Sequence, residues 1–299
     1  MSNIKSKAKI LRELLNGDKL VVVAGAHDGI SAKIAEKNGF HAIWASGLGV
    51  SAVQTVPDAS ILTMTDFLNY AIIMNESTNL PVIADVDSGY GNIHNVIRLV
   101  RKYESSGIAG ICIEDKVYPK LNSFDNGKQL LVSVEEFQAK IKAAKYTQKD
   151  PDFLVIARVE ALIAGLGQEE AYYRAKSYAE AGADAILIHS KQKDPSEIIK
   201  FVSRWDLDVP IVAVPTKYPN ITMNELETIG VKMVIYANQA LRGSVNAMDH
   251  VLKSIMKEKS TQAIEGEIVT IDEIFNLQEV PAMKEIEKLL YDKVFEKTK

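Results

Sequence analysis

Along most of the chain, short runs of apolar and β-branched residues alternate with longer segments of helical period. Eight such runs recur: LVVVAGAHD (20–28), AIWASG (42–47), PVIADVD (81–87), GICIED (110–115), FLVIARVE (153–160), AILIHS (185–190), PIVAVPT (210–216) and MVIYAN (233–238). They are apolar on both faces, the pattern of parallel strands covered on both sides. Between them lie segments such as IHNVIRLVRKYESSG, where Ile93, Val96, Ile97, Val100 and Tyr103 fall on one helical face and Gly107 supplies a stop. Strand-then-helix units repeated eight times within about 250 residues predict an α/β fold, a closed parallel (β/α)8 barrel of the TIM type, with an open doubly wound sheet as the alternative.

Residues 1–299 read as a single barrel domain in which 240–299 form a C-terminal helical extension. LRGSVNAMDHVLKSIMKEKS has the pattern of a long amphipathic helix, and IDEIFNLQEV and MKEIEKLLYDKVFEK carry further apolar stripes. Those stripes need cover, on the barrel or on another subunit, and a homo-oligomer is the expectation.

Composition narrows the function classes. Apolar residues make up 47% and charged residues 25%, with a formal net charge of -4, the values of an ordinary soluble globular protein. Lys and Arg are scattered among acids, so no basic stripe for nucleic acid is expected, and no run reaches the length of a membrane span. The expectation is a cytoplasmic protein with a small-molecule substrate. Cys112 is the sole cysteine, which excludes an intrachain disulfide and a thiolate zinc site; its apolar surroundings read as core.

In such a barrel the chemistry sits at the C-terminal strand ends. Those ends carry Trp44, Ser46 and Gly47 after the second run, Asp85 and Asp87 in the third, Glu114 in the fourth, Arg158 and Glu160 in the fifth, and His189 in the sixth. Asp85 and Asp87 on one strand would point the same way roughly 7 Å apart. Their repulsion, about 2 kcal/mol at an effective dielectric of 20, favours a raised pKa or a bound cation. With Glu114 alongside, three hard oxygen donors suit Mg2+ or Mn2+; alternatively Asp87 caps the following helix. Arg158 either clamps a carboxylate or phosphate or pairs with Glu160. His189 is an acid, a base, a donor or a satisfied structural residue. The stretch EDKVYPKLNSF opens a connection, 116–133, without helical or strand period. It reads as a lid carrying Lys120, Asn122 and Ser123, or as a surface loop with turn residues such as Asn126 and Gly127.

WASGLGVSA, PDAS, ADVDSGYGN, EDKVYPKLNSF, ARVEALIAG, HSK and IDEIF together resemble the phosphoenolpyruvate mutases of the isocitrate lyase and phosphoenolpyruvate mutase superfamily, from about Gly25 to the tail. The lyases of that superfamily carry a cysteine in the loop after strand four, and none is present here. The resemblance implies interconversion of phosphoenolpyruvate and phosphonopyruvate on a Mg2+-dependent barrel with an exchanged C-terminal helix, as a homodimer or homotetramer. It implies that Asp85 holds the metal, directly or with Asp87 and Glu114 through water. Ser46, Gly47 and Leu48 would hold the pyruvyl carboxylate and enolate oxygen, with Trp44 beside them. Arg158 and His189 would contact the phosphoryl group, Lys120, Asn122 and Ser123 would arrive with the lid, and Asp58 would be an essential aspartate near the substrate. A phosphonopyruvate hydrolase, a carbon-carbon lyase of the 2-methylisocitrate type and a non-catalytic binding barrel are the alternatives; Asn122 favours the mutase over the hydrolase.

Overall fold

The structure, a computed structural model, describes residues 5–125 and 127–296. In chain order its elements begin with α1 (Lys7–Asn16), β1 (Val21–Ala26), α2 (Gly29–Lys37), β2 (Ala42–Ala45), α3 (Gly47–Val53), α4 (Met64–Ser77), β3 (Val82–Asp85), α5 (Ile93–Ser105), β4 (Gly110–Glu114) and α6 (Val134–Thr147). They continue with β5 (Leu154–Val159), α7 (Gly167–Glu180), β6 (Ala185–Ile188), α8 (Ser196–Val202), β7 (Ile211–Ala213), α9 (Met223–Thr228), β8 (Val231–Tyr236), α10 (Gln239–Glu258), α11 (Ile271–Leu277) and α12 (Val280–Glu296).

Every apolar run coincides with a strand, β8 beginning two residues before its run, and the strands pair in parallel in sequence order until β8 closes on β1, with Val21 opposite Met233 and Ala24 opposite Tyr236. The barrel is therefore closed, and the open-sheet alternative falls. Closure brings backbones close: a Cβ on Gly25 would lie 2.0 Å from the Ala237 carbonyl oxygen, so only glycine fits. Most runs extend beyond their strands, because the polar residues at their ends leave the ladder to form the loops of the site.

The core has two shells. One lies between strands and helices and includes Ile43, Val96, Phe137, Val155 and Tyr178; the other fills the barrel with Val23, Trp44, Ile83, Cys112, Ile156, Leu187 and Ile235. Ala8, Leu11 and Leu15 of α1 join the inner shell. α1 is fastened to the segments just before β3 and β5: Lys7 Nζ donates to Thr78 O at 2.7 Å, and Arg12 Nη2 to Phe153 O at 3.2 Å. The helix thus plugs the N-terminal mouth. In α5 the buried face is Val96, Leu99, Val100 and Tyr103, while Ile93 is 38% exposed. The periodicity expectation was rotated by part of a turn, because Ile93 belongs to the first turn, where the chain enters from the loop.

Residues up to Leu241 form one compact unit and those from Arg242 a second. In the second, the Thr270 hydroxyl caps α11 by accepting from Glu273 N at 3.2 Å. Val245, Met248, Leu252 and Met256 recur at helical spacing on α10 and are each more than half exposed. No helix among the described residues is long and apolar enough to cross a membrane.

Candidate active site

The C-terminal ends of the strands and the 116–133 connection enclose a cavity of about 50 Å³, several times the space one water needs. Trp44, Ser46, Leu48, Asp58, Asp85, Lys120, Asn122, Ser123, Arg158 and His189 all line it. Gly47, Asp87 and Glu114 stand behind that wall.

Ser46 follows β2 directly and caps α3, its hydroxyl accepting from Gly49 N at 3.1 Å. That leaves the N–H groups of Gly47 and Leu48 in the first helical turn without intrahelical partners. A Cβ on Gly47 would meet Asp85 Oδ2 at 3.0 Å and Asp87 Oδ1 at 3.6 Å, so two carboxylates converge on this glycine. They do so in a different way from the sequence expectation. β3 ends at Asp85, and Asp87 has φ +48°, in the left-handed region, so strand alternation does not govern the pair. A turn orients Asp87, with its N–H donating to Asp85 Oδ1 at 3.3 Å. Nor does Asp87 cap the next helix: Asn92 caps α5.

The 116–133 connection is folded down over the cavity. Its stem is zipped by Val117 N donating to Leu130 O and Val132 N to Asp115 O, both at 2.9 Å. Lys116, Lys120 and Ser123 are buried, which excludes the solvated-loop alternative for this part of the segment; Asn126 lies outside the described residues. Lys120 Nζ reaches Asp58 Oδ1 at 2.6 Å and Asp87 Oδ1 at 3.1 Å, and Asn122 Nδ2 donates to Asp58 Oδ2 at 2.6 Å. Lys120 N also donates to Ser60 Oγ at 3.0 Å, and that hydroxyl donates to Asp87 Oδ2 at 3.3 Å.

Of the two parts the sequence left open for Arg158, the ion pair with Glu160 is made within the chain. Arg158 lines the cavity and pairs through Nε with Glu160 and, at 3.4 Å, with Glu114. His189 Nδ1 lies 2.8 Å from Glu160 Oε1 and 2.9 Å from Arg158 Nη2. Burial, then the neighbouring guanidinium, push His189 below its ordinary pKa, so it is neutral at pH 7. Burial alone would push Glu160 up, yet Arg158 above all, with Lys116 helping, holds it well below the usual carboxylate range. Asp58 is likewise held low against burial by the Lys120 ammonium. Burial wins at the other acids: Asp85 is raised, and Asp87 is pushed up to about 7 despite Lys120.

These directions bear on a cation. Asp58, Asp85, Asp87, Glu114 and Glu160 face three fixed cations, Lys116, Lys120 and Arg158. One divalent ion would cancel the remaining charge. Glu114 Oε1 is buried without a hydrogen-bond partner, and Asp87 Oδ1 has only the Lys120 ammonium facing it as an ion pair. Among the described residues no three such side chains form a ready-made metal cage. The donors at hand are hard carboxylate oxygens, which suit a divalent ion of the Mg2+ class.

Sequence reading missed Phe124, Val214, Thr216, Ala237 and Asn238, which complete the cavity wall. Val214, Thr216 and Asn238 follow β7 and β8 directly, so extending the survey of strand ends past His189 would have found them.

A closed parallel barrel with a charged, lid-covered cavity at its C-terminal face is the architecture of a TIM-barrel enzyme. The chain belongs to the phosphoenolpyruvate phosphomutase family, whose model matches residues 11–256. It is 44% identical to the phosphoenolpyruvate phosphomutase of Tetrahymena pyriformis, over 94% of both chains. The crystal structure of a phosphoenolpyruvate phosphomutase from Streptomyces platensis subsp. rosaceus, 49% identical, superposes with a TM-score of 0.93 over 94% of this chain and 98% of that one. A phosphonopyruvate hydrolase in complex with oxalate and Mg++ is 44% identical, with a TM-score of 0.91 over 95% of this chain and 99% of that one.

Proposed function

We propose that this protein is a phosphoenolpyruvate mutase, interconverting phosphoenolpyruvate and phosphonopyruvate by moving a phosphoryl group between the enol oxygen and C3 of one pyruvate skeleton. The observation that carries the reading is the part-buried triad of Asp58, Lys120 and Asn122, in which two lid residues meet one carboxylate of the barrel. In the forward cleavage the C3–P bond breaks, its electron pair stays on the pyruvate enolate, and the enolate oxygen then bonds to phosphorus. A loose transition state of this kind needs positioning and charge stabilisation more than covalent help. Arg158 and Asn122 would hold the phosphoryl oxygens, with His189 in contact with that group and Lys120 balancing charge. The N–H groups of Gly47 and Leu48 and the Ser46 region would orient the pyruvyl end, with Trp44 as its floor. Asp85 would hold Mg2+, with Asp87 and Glu114 acting through its waters. The ion would stabilise negative charge on the enolate and carboxylate oxygens. Above them the lid keeps out the water that would otherwise capture the phosphoryl group.

Phosphonopyruvate with Mg2+, followed by phosphorus NMR, tests this. A phosphoenolpyruvate signal without inorganic phosphate is expected; phosphate and pyruvate would replace the mutase with a hydrolase, the activity named for a relative of nearly the same fold.

We further infer that the exposed stripe of α10, Val245, Met248, Leu252 and Met256, is covered by a second copy of the chain. A monomer in light scattering at micromolar concentration would overturn that inference.

A further inference from the structure

Ser123 has no hydrogen left for a substrate. A hydroxyl offers one proton and two lone pairs. Lys116 Nζ donates to Ser123 Oγ at 2.6 Å and Arg158 Nη2 donates to it at 2.8 Å. Neither ammonium nor guanidinium can accept, so these two bonds occupy both lone pairs. The third partner is Glu160 Oε2 at 2.6 Å, which as a carboxylate only accepts, and it takes the proton.

Lys116 is saturated in the same way. Its buried ammonium donates to Ser123 Oγ and, at 2.9 Å, to Leu121 O, and lies 3.3 Å from Glu160 Oε2. Three donors meet three acceptors, two of which belong to the lid. Lys116 itself sits on the zipped stem, bridged to Leu131, while Leu121 and Ser123 lie in the segment that must move for substrate to enter. Lifting the lid therefore strips the ammonium of two partners and Glu160 of one, at groups with almost no exposure.

We propose that Ser123 is a positioning residue, and that Lys116, Ser123 and Glu160 form the latch that holds the lid closed. On this view Ser123 acts on the phosphoryl group through Arg158 and through water exclusion, without touching it. The consequence for chemistry rests on the mutase reading above; the latch itself does not. The latch bonds are all made within the chain, so lifting the lid to admit a substrate means breaking them first.

The test is amide hydrogen exchange across residues 117–131 in the substrate-free protein, alongside product analysis from phosphonopyruvate. Ser123→Ala and Lys116→Met should each speed exchange of the lid by roughly tenfold or more, tenfold being about the effect of losing even one buried bond to a charged group. The double variant should do little more than either single one, because both break the same unit. Ser123→Thr, which keeps the hydroxyl, should restore slow exchange, and Ser123→Ala should divert product toward phosphate. Wild-type lid exchange in Ser123→Ala with reduced turnover would overturn the proposal and make Ser123 a phosphoryl ligand. Fully additive effects of the two variants would also overturn it. Because exchange is read without substrate, a failed latch is distinguishable from a failed mutase assignment.

Discussion

Asn122 reaches across 64 positions of sequence to give Asp58 a 2.6 Å hydrogen bond, while Lys120 takes the other oxygen of the same carboxylate at the same distance. Asp58 is thereby the landing point of the lid. A buried carboxylate satisfied on both oxygens is a strong anchor, since removing one partner of a buried charged pair costs about 3–5 kcal/mol.

Replacing Asn122 with alanine should lower mutase turnover by roughly 10²–10³, the usual loss for a preorganised donor in a dry site. The fraction of phosphonopyruvate released as phosphate should rise at the same time. Phosphorus NMR reads both; unchanged mutase turnover would count heavily against the assignment.

Magnesium should stabilise the substrate-free protein. At a hundredfold excess over its dissociation constant, the linkage effect is about 2.7 kcal/mol, visible as a rise of several degrees in Tm. Asp85→Ala should abolish the shift, and a chelator should remove activity that added magnesium restores. An equal shift in the variant would move the ion away from Asp85.

Gly25→Ala should be severe. The added methyl would sit 2.0 Å from the Ala237 carbonyl oxygen, in backbone that cannot swing aside without parting β1 from β8. A loss beyond about 4 kcal/mol is expected, measured by urea denaturation. Gly39→Ala, at a left-handed turn with nothing within 4 Å, isolates the backbone effect from the clash and should cost only about 1 kcal/mol.

Alkaline pH should destabilise the fold from about pH 10 upward. Tyr90, Tyr103, Tyr178 and Tyr218 have phenols pushed up chiefly by burial. In the unfolded chain they ionise near pH 10. A raised folded pKa gives stability fully present below the unfolded value and lost as pH rises above it. Absorbance at 295 nm should show these four failing to titrate with the remaining tyrosines until the protein unfolds.

The barrel was legible because its strands are buried on both faces and recur at a regular interval. Acids at strand ends were legible for a related reason, since desolvation makes charge next to an apolar run conspicuous. Two kinds of information were hidden. The left-handed turn at Asp87 leaves no mark in an alternation pattern, so the relation of that carboxylate to Asp85 was misjudged. The lid's partners were hidden by sequence distance: nothing in Ser60, or in Lys116 beside the conspicuous Glu114, says which oxygen or hydroxyl it meets after folding. Asn122 was found through family motifs, whereas its bond to Asp58 required the fold.

The plug formed by α1 has a kinetic consequence. With Leu11 and Leu15 packed into the N-terminal mouth, traffic through the barrel uses the lid side alone, so substrate and product share one door. Each turnover then needs the door to open for substrate and again for product, with a closure after each, and an enzyme that isomerises quickly will still dwell on its product until the door swings. In the steady state, a product able to re-enter would compete directly with substrate for the same closed chamber.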